Sequence, residues 1–270
     1  MRIVTMLLAA TLATAAGGGA TARAQTSAPT PTAGTPDATG FAYRYAAGLD
    51  GNLALGVVDR FLVNARGDML VTSPVWGLYL EPRWTYAEVN DVKTDAEYYL
   101  RAVGFFHPRD RFYGFAVGLL ERSFRRRYEV RVTEGGGVGW NLLQDPALQL
   151  LVAEGLVFET TEFYVADLVG DPDATSTRRN VVRSVTRASG RIRLADRTAL
   201  FFDAYFKPSI TDLEDYRILA KASFELALGS AGGHQVAARA LLDYTRETVR
   251  VVGTSENELM LTFGVGVRRE

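Results

Sequence analysis

Beyond residue 40, apolar and polar side chains alternate along most of the chain with a period of two. Between residues 215 and 228 one parity reads Tyr216, Ile218, Ala220, Ala222, Phe224, Leu226 and Leu228, while the other carries Asp215, Arg217, Lys221 and Glu225. From 181 to 194 the even positions hold no charge, and the odd ones include Arg183, Arg187, Arg191 and Arg193. Tyr128, Val130, Val132, Val138 and Trp140 share a parity opposite Glu129, Arg131 and Thr133, interrupted by Glu134, and residues 257 to 267 repeat the pattern. Successive side chains of a strand point to opposite sides, so each stretch is a two-faced strand. Twelve are expected, near 41–50, 53–65, 69–88, 96–106, 111–124, 128–142, 147–163, 181–195, 198–210, 215–228, 234–248 and 258–268. Many exceed the roughly 5 to 6 residues of a soluble strand and match the roughly 9 to 11, plus extension, that cross a bilayer obliquely. The fold class is therefore all-β, an antiparallel up-and-down transmembrane β-barrel of about twelve strands.

Alternation alone does not say which face looks outward, because a soluble barrel and a membrane barrel reverse the two. The aromatic residues decide. Trp76, Trp84 and Trp140, together with Tyr86, Tyr128 and Tyr244, fall on the apolar parity, where they suit the two interfacial girdles of a membrane wall. Trp76 and Trp84 are eight residues apart, roughly 20 Å along the membrane normal at about 3.3 Å per residue and a tilt near 40°. The charged parity then lines the lumen: Arg183, Arg187, Arg191, Arg193, Asp203, Lys207, Asp215, Arg217, Lys221, Glu225, Arg239, Asp243 and Glu247. Both signs occur on adjacent strands, which favours cross-strand pairing and a narrow or closed lumen over a wide channel.

Turns sharpen this picture and mark its weak points. Arg66-Gly67-Asp68, His107 to Asp110, Asp145-Pro146, Asp196-Arg197 and Gly229 to Gly233 read as short periplasmic turns, with Asn90 to Asp95 and the longer Asp167 to Asn180 on the opposite side. Asp145-Pro146 also suits the start of an amphipathic helix, Pro74 and Pro82 fit poorly inside strands, and Asp59 falls on an apolar parity.

Composition narrows the function classes. With 47% apolar and 23% charged residues the chain is too apolar to be disordered, and a net charge of −1 removes the electrostatic case for nucleic acid. There is no cysteine, so thiolate metal sites and cysteine nucleophiles are excluded, and His107 and His234 are the available imidazoles. Neither has a serine beside it in sequence, so a serine–histidine lipid hydrolase is the weaker reading and no catalytic residue, cofactor or metal is expected. Asp171-Pro172-Asp173 offers few oxygen ligands for a divalent cation, and Arg125-Arg126-Arg127 reads as a charged loop before a lipopolysaccharide site.

Arg2, the apolar stretch Ile3 to Ala16 and Ala22-Arg23-Ala24 form a secretory signal peptide over 1–24, cleaved before Gln25. Residues 25–40 carry three prolines and almost no large apolar side chain, a flexible linker, and 41–269 is the barrel domain. Gly48-Leu49-Asp50-Gly51-Asn52, Tyr128-Glu129-Val130-Arg131 running into Gly135-Gly136-Gly137-Val138-Gly139-Trp140, and Asp215-Tyr216-Arg217 give the chain its resemblance to the salt-induced outer-membrane proteins, a bacterial family of unknown biochemical function. The resemblance implies a Gram-negative outer-membrane barrel with no catalytic residues. Outer-membrane lipids, lipopolysaccharide and the assembly machinery are the expected partners, with a small solute if the lumen conducts. The expected role is a non-enzymatic envelope structural protein or narrow solute pore. A lipid-modifying enzyme and a secreted soluble ligand-binding barrel are the alternatives.

Overall fold

The computed structural model describes residues 41–54, 60–171, 176–231 and 234–269. The signal peptide, the linker, Asp59 and the 172–175 part of the acidic loop lie outside the described residues. Twelve long antiparallel strands close into one barrel, in ring order β1-β14-β12-β11-β10-β9-β7-β6-β5-β4-β3-β2. They are β1 (Ala42–Ala54), β2 (Arg60–Thr72), β3 (Trp76–Val89), β4 (Val92–Phe106), β5 (Phe112–Ser123), β6 (Tyr128–Gln144), β7 (Leu148–Phe163), β9 (Arg178–Ala195), β10 (Thr198–Pro208), β11 (Tyr216–Ala231), β12 (His234–Glu247) and β14 (Asn257–Arg269). Two-residue strands β8 (Leu168–Val169) and β13 (Arg250–Val251) sit in the loops between β7 and β9 and between β12 and β14, where they pair with each other. Successive long strands are neighbours and β1 pairs with β14, so the sheet has no free edge to invite pairing with another chain.

One end of the barrel, the short-turn end, carries the tight connections after β2, β4, β6, β9 and β11, and the other, the long-loop end, carries the connections holding β8 and β13. The β6–β7 connection is a hairpin in which Asp145 and Leu148 exchange backbone hydrogen bonds of 3.1 Å in both directions. A two-residue hairpin therefore takes the place of the helix start that Asp145-Pro146 allows. The expected turn at Arg66-Gly67-Asp68 is also corrected. Those residues lie inside β2, and the chain reverses at Ser73–Val75, where the Ser73 hydroxyl accepts the Trp76 N–H at 3.1 Å. Pro74 belongs to that turn. Pro82 does lie inside β3, where the β2–β3 ladder skips from Arg66↔Arg83 to Met69↔Leu80. A residue without an N–H fits where no ladder bond is made.

The repeated glycines of β6 have a steric cause. A Cβ at Gly139 would overlap the Tyr113 ring, and one at Gly137 would overlap the Glu154 carbonyl oxygen on β7. Only glycine lets the wall lie so close to its neighbours here.

Candidate functional site

The lumen is the candidate site, and its two halves are filled differently. In the long-loop half the inward side chains are ionic and meet across the barrel. Arg131 on β6 donates from both terminal nitrogens to the Glu247 carboxylate on β12, at 3.0 and 3.2 Å, with β7, β9, β10 and β11 standing between the two strands in the ring. Its Nε donates to Thr161 Oγ1 at 3.1 Å and its guanidinium lies 4.1 Å over the Tyr128 ring, leaving it 1% exposed. Glu247 also lies 3.5 Å from Arg126 and 3.8 Å from Arg217, so three guanidiniums converge on one carboxylate. Arg183 holds Asp215 through two hydrogen bonds of 2.9 and 3.0 Å and Glu159 at 3.4 Å; Arg217 pairs with the other Glu159 oxygen. Nearer mid-barrel, Arg101 on β4 donates to the Tyr205 hydroxyl of β10 at 2.5 Å and shares Glu81 with Arg83. Buried charges require such pairing, because an unpaired ion in this environment forfeits its hydration with nothing in return.

The short-turn half is apolar along β3 to β7 and at Leu70 of β2, while Asp68 of β2 and, on the opposite side, Arg191, Glu225 and Arg239 are inward charges. Leu70, Tyr79, Val103, Phe105, Tyr113, Leu151 and Ala153 form one buried cluster, with Phe115 and Val117 packed against it. Tyr113 meets Phe105 edge-on at 5.9 Å. Those side chains are inside the ring of strands, so the barrel has a hydrophobic core at one end in addition to its apolar outer wall.

A lid covers the long-loop mouth. The β5–β6 turn folds inward instead of projecting outward: Arg126 donates to Glu258 on β14 at 3.1 Å, and Arg125 lies 3.5 Å from Asp95 and from Glu97 on β4. Arg125 and Arg126 are thereby committed to intramolecular acids, and of the three loop arginines Arg127 is the exposed one. Beside them the β8–β13 pair packs Leu168, Val249 and Val251 on Tyr128 and Phe163. Asp171, half of the candidate cation ligand pair, accepts from Arg179 at 2.9 Å, and Asp173 lies outside the described residues.

Of the candidate lumen residues, Arg183, Arg187, Asp203, Asp215, Arg217, Glu225, Arg239 and Glu247 are buried, and Arg191, Lys207, Lys221 and Asp243 are partly so. Arg193 is exposed at the short-turn end of β9, beyond the filled lumen. Trp76, Trp84 and Trp140 are exposed on the outer wall, with Tyr86 stacked on Trp84 at 6.2 Å and Tyr244 also outward. Tyr128 is a correction: it is 2% exposed and points inward. A bulge between Tyr128 and Val130 reverses the parity at that point, so Tyr128 and Arg131 share the inner face. Glu81, Arg83, Arg101, Arg131 and Glu159 are lumen ion-pair members that were not among the candidates, although they carry the same signal of a charge on the parity opposite Trp84 or Val132.

The outer wall is apolar between two aromatic rims. Phe112 stacks on Trp140 at 5.6 Å near the short-turn end, and Trp84, Tyr86, Tyr98 and Tyr244 lie toward the other. Away from the rims, Glu134 and Glu154 are exposed carboxylates on this wall. His107 sits exposed in the β4–β5 turn at a φ of 53°, with its Nδ1 3.6 Å from Asp110, while His234 begins β12.

A family model described as a protein of unknown function, DUF481, matches residues 53–268. No curated protein sequence matches the chain. Among solved structures, the NanC porin is 10% identical with a TM-score of 0.48, covering 84% of this chain and 99% of that one. The translocator domain of the autotransporter NalP from Neisseria meningitidis is 13% identical with a TM-score of 0.46, covering 100% of this chain and 95% of that one. The outer-membrane channel DcaP of Acinetobacter baumannii is 8% identical with a TM-score of 0.36, covering 88% and 99%.

Proposed function

The chain belongs to the DUF481 family, whose function is unknown, and we propose that it is a non-enzymatic β-barrel of the bacterial outer membrane whose lumen is closed by its own side chains. In this reading it is an envelope structural protein, and the motif likeness to the salt-induced outer-membrane proteins points the same way. The observation that carries the membrane placement is the outer wall. On β14, Leu259, Leu261, Phe263 and Val265 are 68%, 57%, 65% and 55% exposed in one unbroken stripe. In water such a surface is an aggregation liability, whereas acyl chains cover it at no cost. The aromatic rims at its two ends suit the two interfaces. The closed lumen rests on the pairs that reach from wall to wall, Arg131 to Glu247 and Arg101 to Tyr205, above a packed apolar floor.

The mature protein is expected to fractionate with outer membranes and to migrate differently in SDS gels before and after boiling. Recovery in the soluble periplasmic fraction would favour the soluble ligand binder instead. Phospholipid or lipopolysaccharide turnover by the purified barrel in detergent would restore the enzyme reading.

A further inference from the structure

Within the closed lumen a chamber of about 100 Å³ remains between the ionic and apolar halves. Among the described residues, seven cations border it against six carboxylates that line it or pair with those cations, Glu121 among them at 4.0 Å from Arg131, so one positive charge is in surplus. Arg83 lies 2.6 Å from Glu81, which Arg101 shares; Arg131 lies 3.0 Å from Glu247 and Arg187 lies 2.8 Å from Asp203. Lys221 lies 3.7 Å from Asp243, its partner in the β11–β12 ladder, and Arg217 is on Glu159. Lys207 lines the same chamber with no carboxylate within ion-pair distance among the described residues, and its Nζ lies 5.2 Å over the Tyr205 ring. Val117, Leu119, Val157 and Val185 line the chamber too.

We propose that this chamber binds a small monocarboxylate with a short apolar body, its carboxylate on the Lys207 ammonium and its body against the valine and leucine side chains. One unmatched positive charge calls for one negative charge. A dianion would bring in a second that nothing neutralises, and a neutral molecule would leave the ammonium as it is. The apolar wall rejects a fully hydrated anion such as inorganic phosphate. Size sets the body at a few carbons, since a cavity of about 150 Å³ accommodates benzene and this one is smaller. The chamber continues toward the long-loop mouth. A second cavity shares Arg83, Tyr99, Glu121 and Lys221 with the chamber and extends to Arg125, Arg126 and Glu258 under the lid. The packed cluster fills the short-turn side along β2 to β7. The lumen is then a binding site, which goes beyond a structural role and does not depend on membrane location.

The test uses the complete folded barrel in a non-ionic detergent, titrated calorimetrically with butyrate, butyramide and inorganic phosphate. Butyrate is expected to saturate a single site, with butyramide roughly tenfold weaker or worse, equivalent to about 1.4 kcal/mol, and phosphate without effect. Lys207→Met should weaken butyrate by roughly tenfold or more while keeping the heat-modifiable gel mobility of the folded barrel, and Lys207→Arg should restore most of the binding. Should Lys207→Met fail to fold, Val157→Phe, which fills the apolar side and leaves Lys207 in place, is expected to abolish butyrate binding. The proposal is overturned by a wild-type barrel that shows no saturable butyrate binding, by equal affinity for butyramide, or by folded variants that bind as wild type does.

Discussion

On the β2–β7 side of this lumen the long-loop half is held by ion pairs and the short-turn half by close-packed aromatic and aliphatic side chains, whereas on the β9–β12 side inward charges, Arg191, Glu225 and Arg239, continue into the short-turn half. Along β4, Asp95, Glu97 and Arg101 face the ionic half, and Val103 and Phe105 continue the same inward face into the apolar half. The change occurs within a few residues of one strand. What the difference teaches is that the proposed occlusion would have two independent causes. Charged side chains by themselves admit water and ions whenever their pairs separate, whereas the packed cluster on the β2–β7 side offers a permeating ion no partner. Opening the barrel would therefore require both to be disturbed.

Substitutions separate the two contributions. The largest effect is expected at Glu247, where Arg126, Arg131 and Arg217 converge. Glu247→Leu leaves buried guanidiniums without their shared anion and should cost about 3 to 5 kcal/mol of stability, read as a lower denaturant midpoint of the folded barrel. In the apolar half, Tyr113→Ala removes the ring that lies over Gly139 and should cost about 3 kcal/mol, as large-to-small core changes do, measured in the same way. Neither single variant should conduct. A conducting Glu247→Leu barrel would show that the apolar half does not seal, and the comparison between the halves would fail. A smaller effect with the opposite sign is expected on the outer wall. Glu134→Leu and Glu154→Leu remove carboxylates from a lipid-facing surface and should each raise stability by about 1 kcal/mol. Destabilisation by either change would mean that another protein covers this face.

The outer wall was legible in the sequence because its apolar stripe has the strand period and its tryptophans share that parity. Three features were not. Strict alternation puts Tyr128 on the outside because a bulge is invisible to it. Arg66-Gly67-Asp68 looked like a turn because Gly-Asp is turn chemistry, while the ladder gap that accommodates it depends on Pro82 of the neighbouring strand. The apolar floor was hidden because Val103, Phe105, Tyr113, Phe115 and Val117 stand in segments apolar on both parities, where period two carries no direction. The ionic lattice could be expected as a class and not as pairs, since Arg131 and Glu247 are 116 residues apart and meet only once the ring closes.

The most direct measurement of closure is planar-bilayer conductance of the refolded wild-type barrel at moderate salt. A baseline free of discrete current steps is predicted, with the protein's insertion verified independently by its heat-modifiable mobility in the recovered bilayer material. Reproducible unitary steps from that same inserted protein would contradict a lumen sealed by its own side chains.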